Sequence, residues 1–370
     1  MILWILIESS SAFIPAYVIE RFYWEARGMS IADVVIAEIV FAWVMLICEV
    51  PFGLLSDRWG RKPFILAGFV CEWLSFTVLL EAYSLAAFLL AMVLAGIGGA
   101  ALSGALEAHV YETLRMHRIE ERFETVWRML SISGLLTAGL AALVGSYAVR
   151  FVDLIWHYQV SWWVLLGTVL LTFSLKEAPR VTGDESRSLL TLLKGFSIQR
   201  VYVRILCLVL LYAATIDFVD EFWQLYLRDQ SIPMIYMGLV FVLFQIMQAI
   251  GASMSRFRLP VGWAMLYIVC LVGLSVASPL ISIGLLGLLY LCYGWAEPYV
   301  TTIIQEVAPE NRRATFASLI SVIERVSVLG TGMLFVLIER TFSLQMTYAA
   351  LGFVALMFLI MYGMTRTRQN

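Results

Sequence analysis

Apolar windows of about twenty residues, the length that crosses a bilayer as a helix, recur along this chain. Twelve fall within its 370 residues, at 2–19, 31–55, 63–80, 85–111, 125–149, 161–175, 201–222, 235–254, 261–278, 280–304, 315–338 and 344–364. No water inside a bilayer can satisfy the backbone, so such runs fold as helices. The chain is therefore expected to be an all-α polytopic membrane protein. Its composition agrees: 61% of residues are hydrophobic and 14% charged, too little charge to coat a soluble body of this length. The first window has no basic leader and carries Glu8 and Pro15, which favours a first span over a cleaved signal. Gly28 ends the following turn, and Ser30 with Asp33 makes a capping-box start for the second span.

Lysine and arginine set the orientation. With both termini inside, the inner loops hold nineteen of the 25 Lys and Arg residues and the outer loops five, among them Arg21, with Arg325 left within a span. The positive-inside rule then places both ends in the cytoplasm. The longest polar stretch, 176–200, divides the windows six and six. It gives an N-terminal six-helix bundle at 1–175, a cytoplasmic linker at 176–200 and a C-terminal bundle at 201–370. Leu189, Leu190, Leu192, Leu193 and Phe196 suit either a short amphipathic helix on the membrane surface or a plain linker. The net charge of −2 points to no nucleic-acid partner. Five cysteines lie apart inside apolar runs, and His109, His117 and His157 form no ligand pair, so no metal or cofactor is expected.

The loop between the second and third windows reads Gly53-Leu54-Leu55-Ser56-Asp57-Arg58-Trp59-Gly60-Arg61-Lys62-Pro63. It resembles the signature loop of the major facilitator superfamily, at the matching place between spans two and three. The resemblance implies twelve transmembrane helices in two six-helix bundles, alternating access, and a cytoplasmic gate built from Gly53, Asp57, Arg58, Gly60, Arg61 and Lys62. Physically, Gly53 permits close approach of a neighbouring helix and Gly60 a tight turn. Asp57 suits a helix N-terminus near Thr315, and Arg61 suits Glu112 at the inner end of span four. Other segments, Glu49-Val50-Pro51-Phe52-Gly53, Ser103-Gly104-Ala105-Leu106-Glu107-Ala108 and Arg313-Ala314-Thr315, resemble a bacterial subgroup of mostly unassigned substrate. The chain departs from the superfamily's proton-coupled drug exporters at two points. Met92 stands where they carry an arginine before Gly96-Ile97-Gly98, and span five has no proline.

Ionisable groups at membrane depth are functional candidates by default. The spans carry Glu8, Glu38, Glu49, Glu72, Glu107, Asp217, Glu297, Glu324 and Arg325. Asp220 and Glu221 fall close to the expected outer end of span seven, and for them and Glu72 a pairing or interfacial role is the simpler reading. At about 100° per residue, Gly96, Gly99, Ser103 and Glu107 share one face, as do Tyr290, Tyr293, Glu297 and Thr301. The resemblance implies that spans one, four, seven and ten line a central cavity. The expected cavity and proton-coupling set is Glu8, Glu107, Asp217, Tyr290, Tyr293, Glu297 and Arg325, with Glu107 first and Glu297 second as proton carrier. Surplus carboxylates beside aromatic rings suit a cationic or amphipathic solute.

These features favour a monomeric secondary transporter of a small organic solute in the cytoplasmic membrane, with protons as the coupling ion and export as the leading direction. Uptake of a small metabolite, and a transporter-like sensor without transport, are the alternatives. An intramembrane enzyme would need a nucleophile–base or metal-ligand pair within a span, and none stands out. No phosphate-binding loop pattern is present for ATP-driven transport.

Overall fold

The computed structural model describes residues 1–103, 105–177, 200–255, 257, 259–307, 320, 323, 326–327, 330–332, 338 and 343–366; of Asp57 it describes the backbone only. The described residues form helices joined by short turns. In chain order the helices are α1 Ile2–Ala12, α2 Glu20–Ala26, α3 Ile31–Trp59, α4 Arg61–Leu80, α5 Leu85–Leu102, α6 Ala105–Met116 and α7 Phe123–Ala148. They continue as α8 Leu154–Phe173, α9 Arg200–Asp229, α10 Met237–Ser253, α11 Pro260–Gly273, α12 Pro279–Val307 and α13 Leu344–Arg366. Ten segments among the described residues are long and apolar enough to cross a membrane, with Ile2–Ala26 and Leu85–Met116 each counting as one. Helix α11 is apolar but shorter. Most of the expected eleventh span, and all but the start of the expected linker, lie outside the described residues.

Packing divides the chain into two compact units, Met1–Ser186 with Met234–Leu239, and Arg187–Pro233 with Val240–Asn370. In the first, α5 packs on α3 and α4, α4 also on α8, and α1 on α7 and α8. Lipid gives helices little hydrophobic reason to associate, so close contact between small residues joins them. Gly68 and Gly98 provide it: a Cβ on Gly98 would lie 2.8 Å from the Gly68 carbonyl oxygen. The inner core gathers Ile7, Ile65, Phe69, Val110 and Leu130. On α7, by contrast, Leu135, Leu136 and Leu140 are exposed.

Two spans are broken, which periodicity did not reveal. Span one turns at residues 13–16, where Pro15 cannot continue the helical hydrogen bonding, passes through a 3-10 turn at Tyr17–Ile19, and resumes as α2. Its expected end at residue 19 is thus too early. Arg21, expected in an outer loop, is buried in α2. Its Nη2 lies 2.9 Å from Glu38 Oε1 and its guanidinium covers the Trp24 ring. Tyr23 and Trp24 fix the same helix by donating to the Leu79 carbonyl and the Tyr158 hydroxyl, each at 2.9 Å. Span four stops at Leu102 and restarts at Ala105. The start of α3 carries the capping box, with Ser30 Oγ accepting from the Asp33 amide and Asp33 Oδ2 from the Ser30 amide.

In the second unit, α9 packs on α12 and α13, and α11 on the same two helices. Trp223, Tyr226, Phe244, Tyr267, Trp295 and Tyr348 are fully buried there. Helix α9 runs on to Asp229, past its expected end at residue 222. Asp220 consequently sits about 14 Å along the axis from the C-terminal end of the helix, at 1.5 Å per residue. It is not a helix-end residue.

Candidate functional site

Three of the membrane-depth carboxylates meet around one cavity of the first unit. It has a volume of about 310 Å³ and is lined by Glu8, Ser11, Phe69, Glu72, Leu102, Leu106, Glu107 and Trp127. Both broken spans contribute. Glu8 and Ser11 lie in the last turns of α1, and Leu102 is the final residue of α5. The end of α5 carries partial negative charge and the start of α6, just after the break, partial positive charge, so the three acids set the sign of the cavity. Glu107 follows the break in the first turn of α6. The glycine face expected to carry it instead packs on α3: Gly96 abuts Val44, Gly99 abuts Met45, and Ser103 Oγ donates to Glu49 Oε1 at 3.0 Å. Glu72, read from sequence as a pairing residue, lines the cavity and accepts from the Tyr17 hydroxyl at 3.4 Å. Glu8 also accounts for Gly134, where a Cβ would stand 2.9 Å from its Oε1. Among the described residues, no three His, Cys, Asp or Glu side chains come close enough together to hold a metal ion. The cavity acids are spread around a volume and not focused on a point.

The signature loop forms a second polar cluster. Gly60 has φ +101, a conformation that favours glycine. It opens α4 without a side-chain cap. Glu177 supplies the missing acceptor from beyond α8: its Oε1 takes the Arg61 and Lys62 amides at 2.8 and 3.4 Å. A Cβ on Gly60 would stand 2.6 Å from that oxygen. Arg61 donates through Nε to Glu112 Oε1 at 3.1 Å and through Nη1 to Ser56 Oγ at 2.7 Å. Lys62 Nζ reaches the Phe173 carbonyl at 2.8 Å. Arg58 is exposed. At Gly53 a Cβ would meet nothing within 4 Å among the described residues.

In the second unit, Tyr290 pairs with Asp220 of another helix. Its hydroxyl donates to Asp220 Oδ1 at 2.5 Å, and Phe244 stacks on its ring at 4.5 Å. Asp217, Asp220 and Glu297 are exposed, Tyr293 is half-buried and Tyr290 is buried. Arg325 and Glu324 lie outside the described residues, as do Gly104, Arg313 and Thr315. Reading the sequence missed Glu177, the Arg21–Glu38 pair and the Asp220–Tyr290 pair. An uncapped start for α4 was the one available signal, since orphan amides at a helix start need an acceptor. The other two pairs join residues 17 and 70 positions apart, on different helices.

Helices of membrane length, grouped in two units and carrying carboxylates within them, define a multi-pass membrane protein of the transporter class. The family model for the Major Facilitator Superfamily matches residues 2–331. The chain belongs to that superfamily, and it is a transporter and not an enzyme. Among solved structures, the nucleoside transporter NupG matches with a TM-score of 0.80 at 14% identity, covering 100% of this chain and 98% of that one. A D-xylose–proton symporter matches with a TM-score of 0.71 at 13% identity, covering 97% and 96%. These likenesses carry the fold alone. The bicyclomycin resistance protein homolog of Haemophilus influenzae is 30% identical over 143 residues, 37% of this chain. The match spans 34% of that relative's length.

Proposed function

We propose that this chain is a secondary active transporter that exports a cationic or amphipathic organic solute across the cytoplasmic membrane in exchange for protons. The observation that carries the reading is the cavity of the first unit. Its volume of about 310 Å³ is at the lower end of what small organic ligands occupy. Three carboxylates favour positive charge, and Phe69 and Trp127 offer aromatic rings to an organic cation. The partial likeness to a bicyclomycin resistance protein supports export.

In this reading Glu107, with Glu8 and Glu72 beside it, alternately holds the solute and a proton. Protonation removes the negative charge that retains a cation, so proton entry releases solute. Glu297, Asp217, Tyr293 and Arg325 complete the proposed solute path from the second half. The loop from Gly53 to Lys62, with Asp57, Arg58 and the Arg61–Glu112 pair, serves as the cytoplasmic gate. Both termini face the cytoplasm, and the monomer is the working unit.

The test reconstitutes the full chain in liposomes with an imposed pH gradient and follows ethidium, a fluorescent organic cation. Wild-type protein accumulates ethidium against its gradient. Glu107→Gln abolishes that accumulation while leaving exchange at equal pH. Normal gradient-driven accumulation by Glu107→Gln, with unchanged pH dependence, would falsify the role of Glu107.

A further inference from the structure

Asp220 of α9 has a phenol as a hydrogen-bond partner, which is unusual for a membrane span. The Tyr290 hydroxyl of α12 donates to Asp220 Oδ1, and Tyr290 is itself buried at 6% exposure under the stacked Phe244 ring of α10. Behind this pair stands Tyr348 of α13, wholly buried, in edge contact with Tyr226. Its hydroxyl has no hydrogen-bond partner among the described residues, yet Asp220 lies within electrostatic reach of it. Two neighbouring phenols are tied down: Tyr226 donates to the Leu274 carbonyl at 2.6 Å, and Tyr267 shares a hydrogen with Thr215 Oγ1 at 2.8 Å; the Tyr212 hydroxyl, like that of Tyr348, has no partner among the described residues.

The carboxylate itself is exposed. At its depth in α9 an acid turned to lipid is costly, so the exposed edge belongs to a water-filled space. One edge of Asp220 thus meets water while the other is backed by packed aromatic rings. No organic solute fits on the tyrosine side without displacing fully buried rings. A proton needs no volume.

We propose that Asp220 is a second proton-binding site of the transporter, located in its C-terminal half, with Tyr290 as its positioning residue. This rests on the reading of the chain as a proton-coupled transporter. The ionised carboxylate takes a proton from water at its exposed edge and becomes a neutral acid. The Tyr290 hydroxyl keeps its own proton throughout and holds the side chain in place. The proton returns to water when that edge is open to the opposite side. Among the described residues, the titratable groups about Asp220 include Asp217 and Glu221 on its own helix, Tyr290 from α12 and Tyr348 from α13, with Tyr226 and Tyr267 behind them. Phe244, from α10, carries no ionisable group.

Two readouts on the full chain test this. Infrared difference spectra of the purified protein between acid and alkaline pH report carboxyl protonation without any solute. Asp220→Asn should lose one carboxyl band, and a band of unchanged intensity overturns the proposal. In liposomes, Asp220→Asn should retain ethidium exchange at equal pH but carry one proton fewer per ethidium. Limiting accumulation then falls by about tenfold for a gradient of one pH unit, equivalent to about 1.4 kcal/mol. Unchanged accumulation also overturns it. If the wild type moves no ethidium, the organic-cation reading fails, and the infrared band still decides for or against Asp220. Tyr290→Phe keeps the acid and guards against loss of folding in the first variant. It should move the pH profile of the band to higher pH, since a hydrogen bond donated to a carboxylate favours its ionised form. An unmoved profile removes Tyr290 from the site.

Discussion

The two halves of this protein keep their carboxylates charged-capable at membrane depth in opposite ways. In the N-terminal unit, Glu8, Glu72 and Glu107 surround an open volume of about 310 Å³, and space does the solvating. In the C-terminal unit, Asp220 is held by a phenol within a packed aromatic cluster, and a hydrogen bond does it. An open acidic volume can exchange a solute for protons. A carboxylate backed by a buried tyrosine on one side and open to water on the other can exchange a proton. Both devices meet the same constraint, that an ion without water or partners is strongly disfavoured in an apolar medium.

The sharpest test of this contrast crosses the two acids in one experiment. Glu107→Gln should weaken ethidium binding to purified protein about tenfold, a loss of about 1.4 kcal/mol. Asp220→Asn should leave binding unchanged and alter only its proton coupling. Equal effects of the two substitutions on binding would erase the distinction between the halves.

The Arg21–Glu38 contact of the first unit carries the largest effect on stability. Arg21→Ala strands Glu38 without its buried partner, and breaking a buried pair costs about 3–5 kcal/mol. Glu38 is 28% exposed, so the expectation is about 3 kcal/mol, the low end of that range. A marked drop in thermal stability in detergent should follow, and Arg21→Ala combined with Glu38→Ala should recover part of it. Unaltered melting would show that the bend of span one is held by its aromatic contacts alone.

Close helix contact in the same unit ranks below it. Gly98→Val pushes a side chain against the Gly68 carbonyl, and overpacking of this kind costs about 1–3 kcal/mol. The measurement is thermal unfolding followed by tryptophan fluorescence, and stability equal to wild type would mean that α4 and α5 separate freely.

The smallest expected effect distinguishes two tyrosines of the second unit. Tyr226→Phe removes a hydroxyl bonded to both Leu274 and Ser282 and should cost about 1 kcal/mol. Tyr348→Phe removes a hydroxyl with no partner among the described residues and should be neutral in stability. A cost for Tyr348→Phe as large as that for Tyr226→Phe would reveal a buried water on Tyr348.

Much of the architecture was legible in the sequence because the bilayer enforces it locally. Each span must satisfy its own backbone, so apolar length alone marks the helices. The capping box at Ser30 and Asp33 and the turn at Gly60 are equally local, each decided by a few adjacent residues. The signature loop from Gly53 to Lys62 pointed to the superfamily that the match over residues 2–331 establishes. Periodicity also grouped Tyr290 with Glu297 and Glu107 with Gly96, correctly as neighbours on an ideal helix.

What periodicity could not supply was the partner across the gap between helices. Pro15 marked a break, but not that span one would resume and bury Arg21 against Glu38. The extension of α9 to Asp229 moved Asp220 from an apparent helix end into the body of the helix, where Tyr290 donates to it. The break at Ser103 let Glu107 leave the glycine face and join Glu8 and Glu72. Sequence alone determined which segments enter the membrane, because that depends on transfer of each segment from water to lipid. Tertiary structure decided which carboxylates share a cavity and which is held by a phenol. Those outcomes depend on bends and side-chain contacts between helices far apart in the chain, and no single helix encodes them.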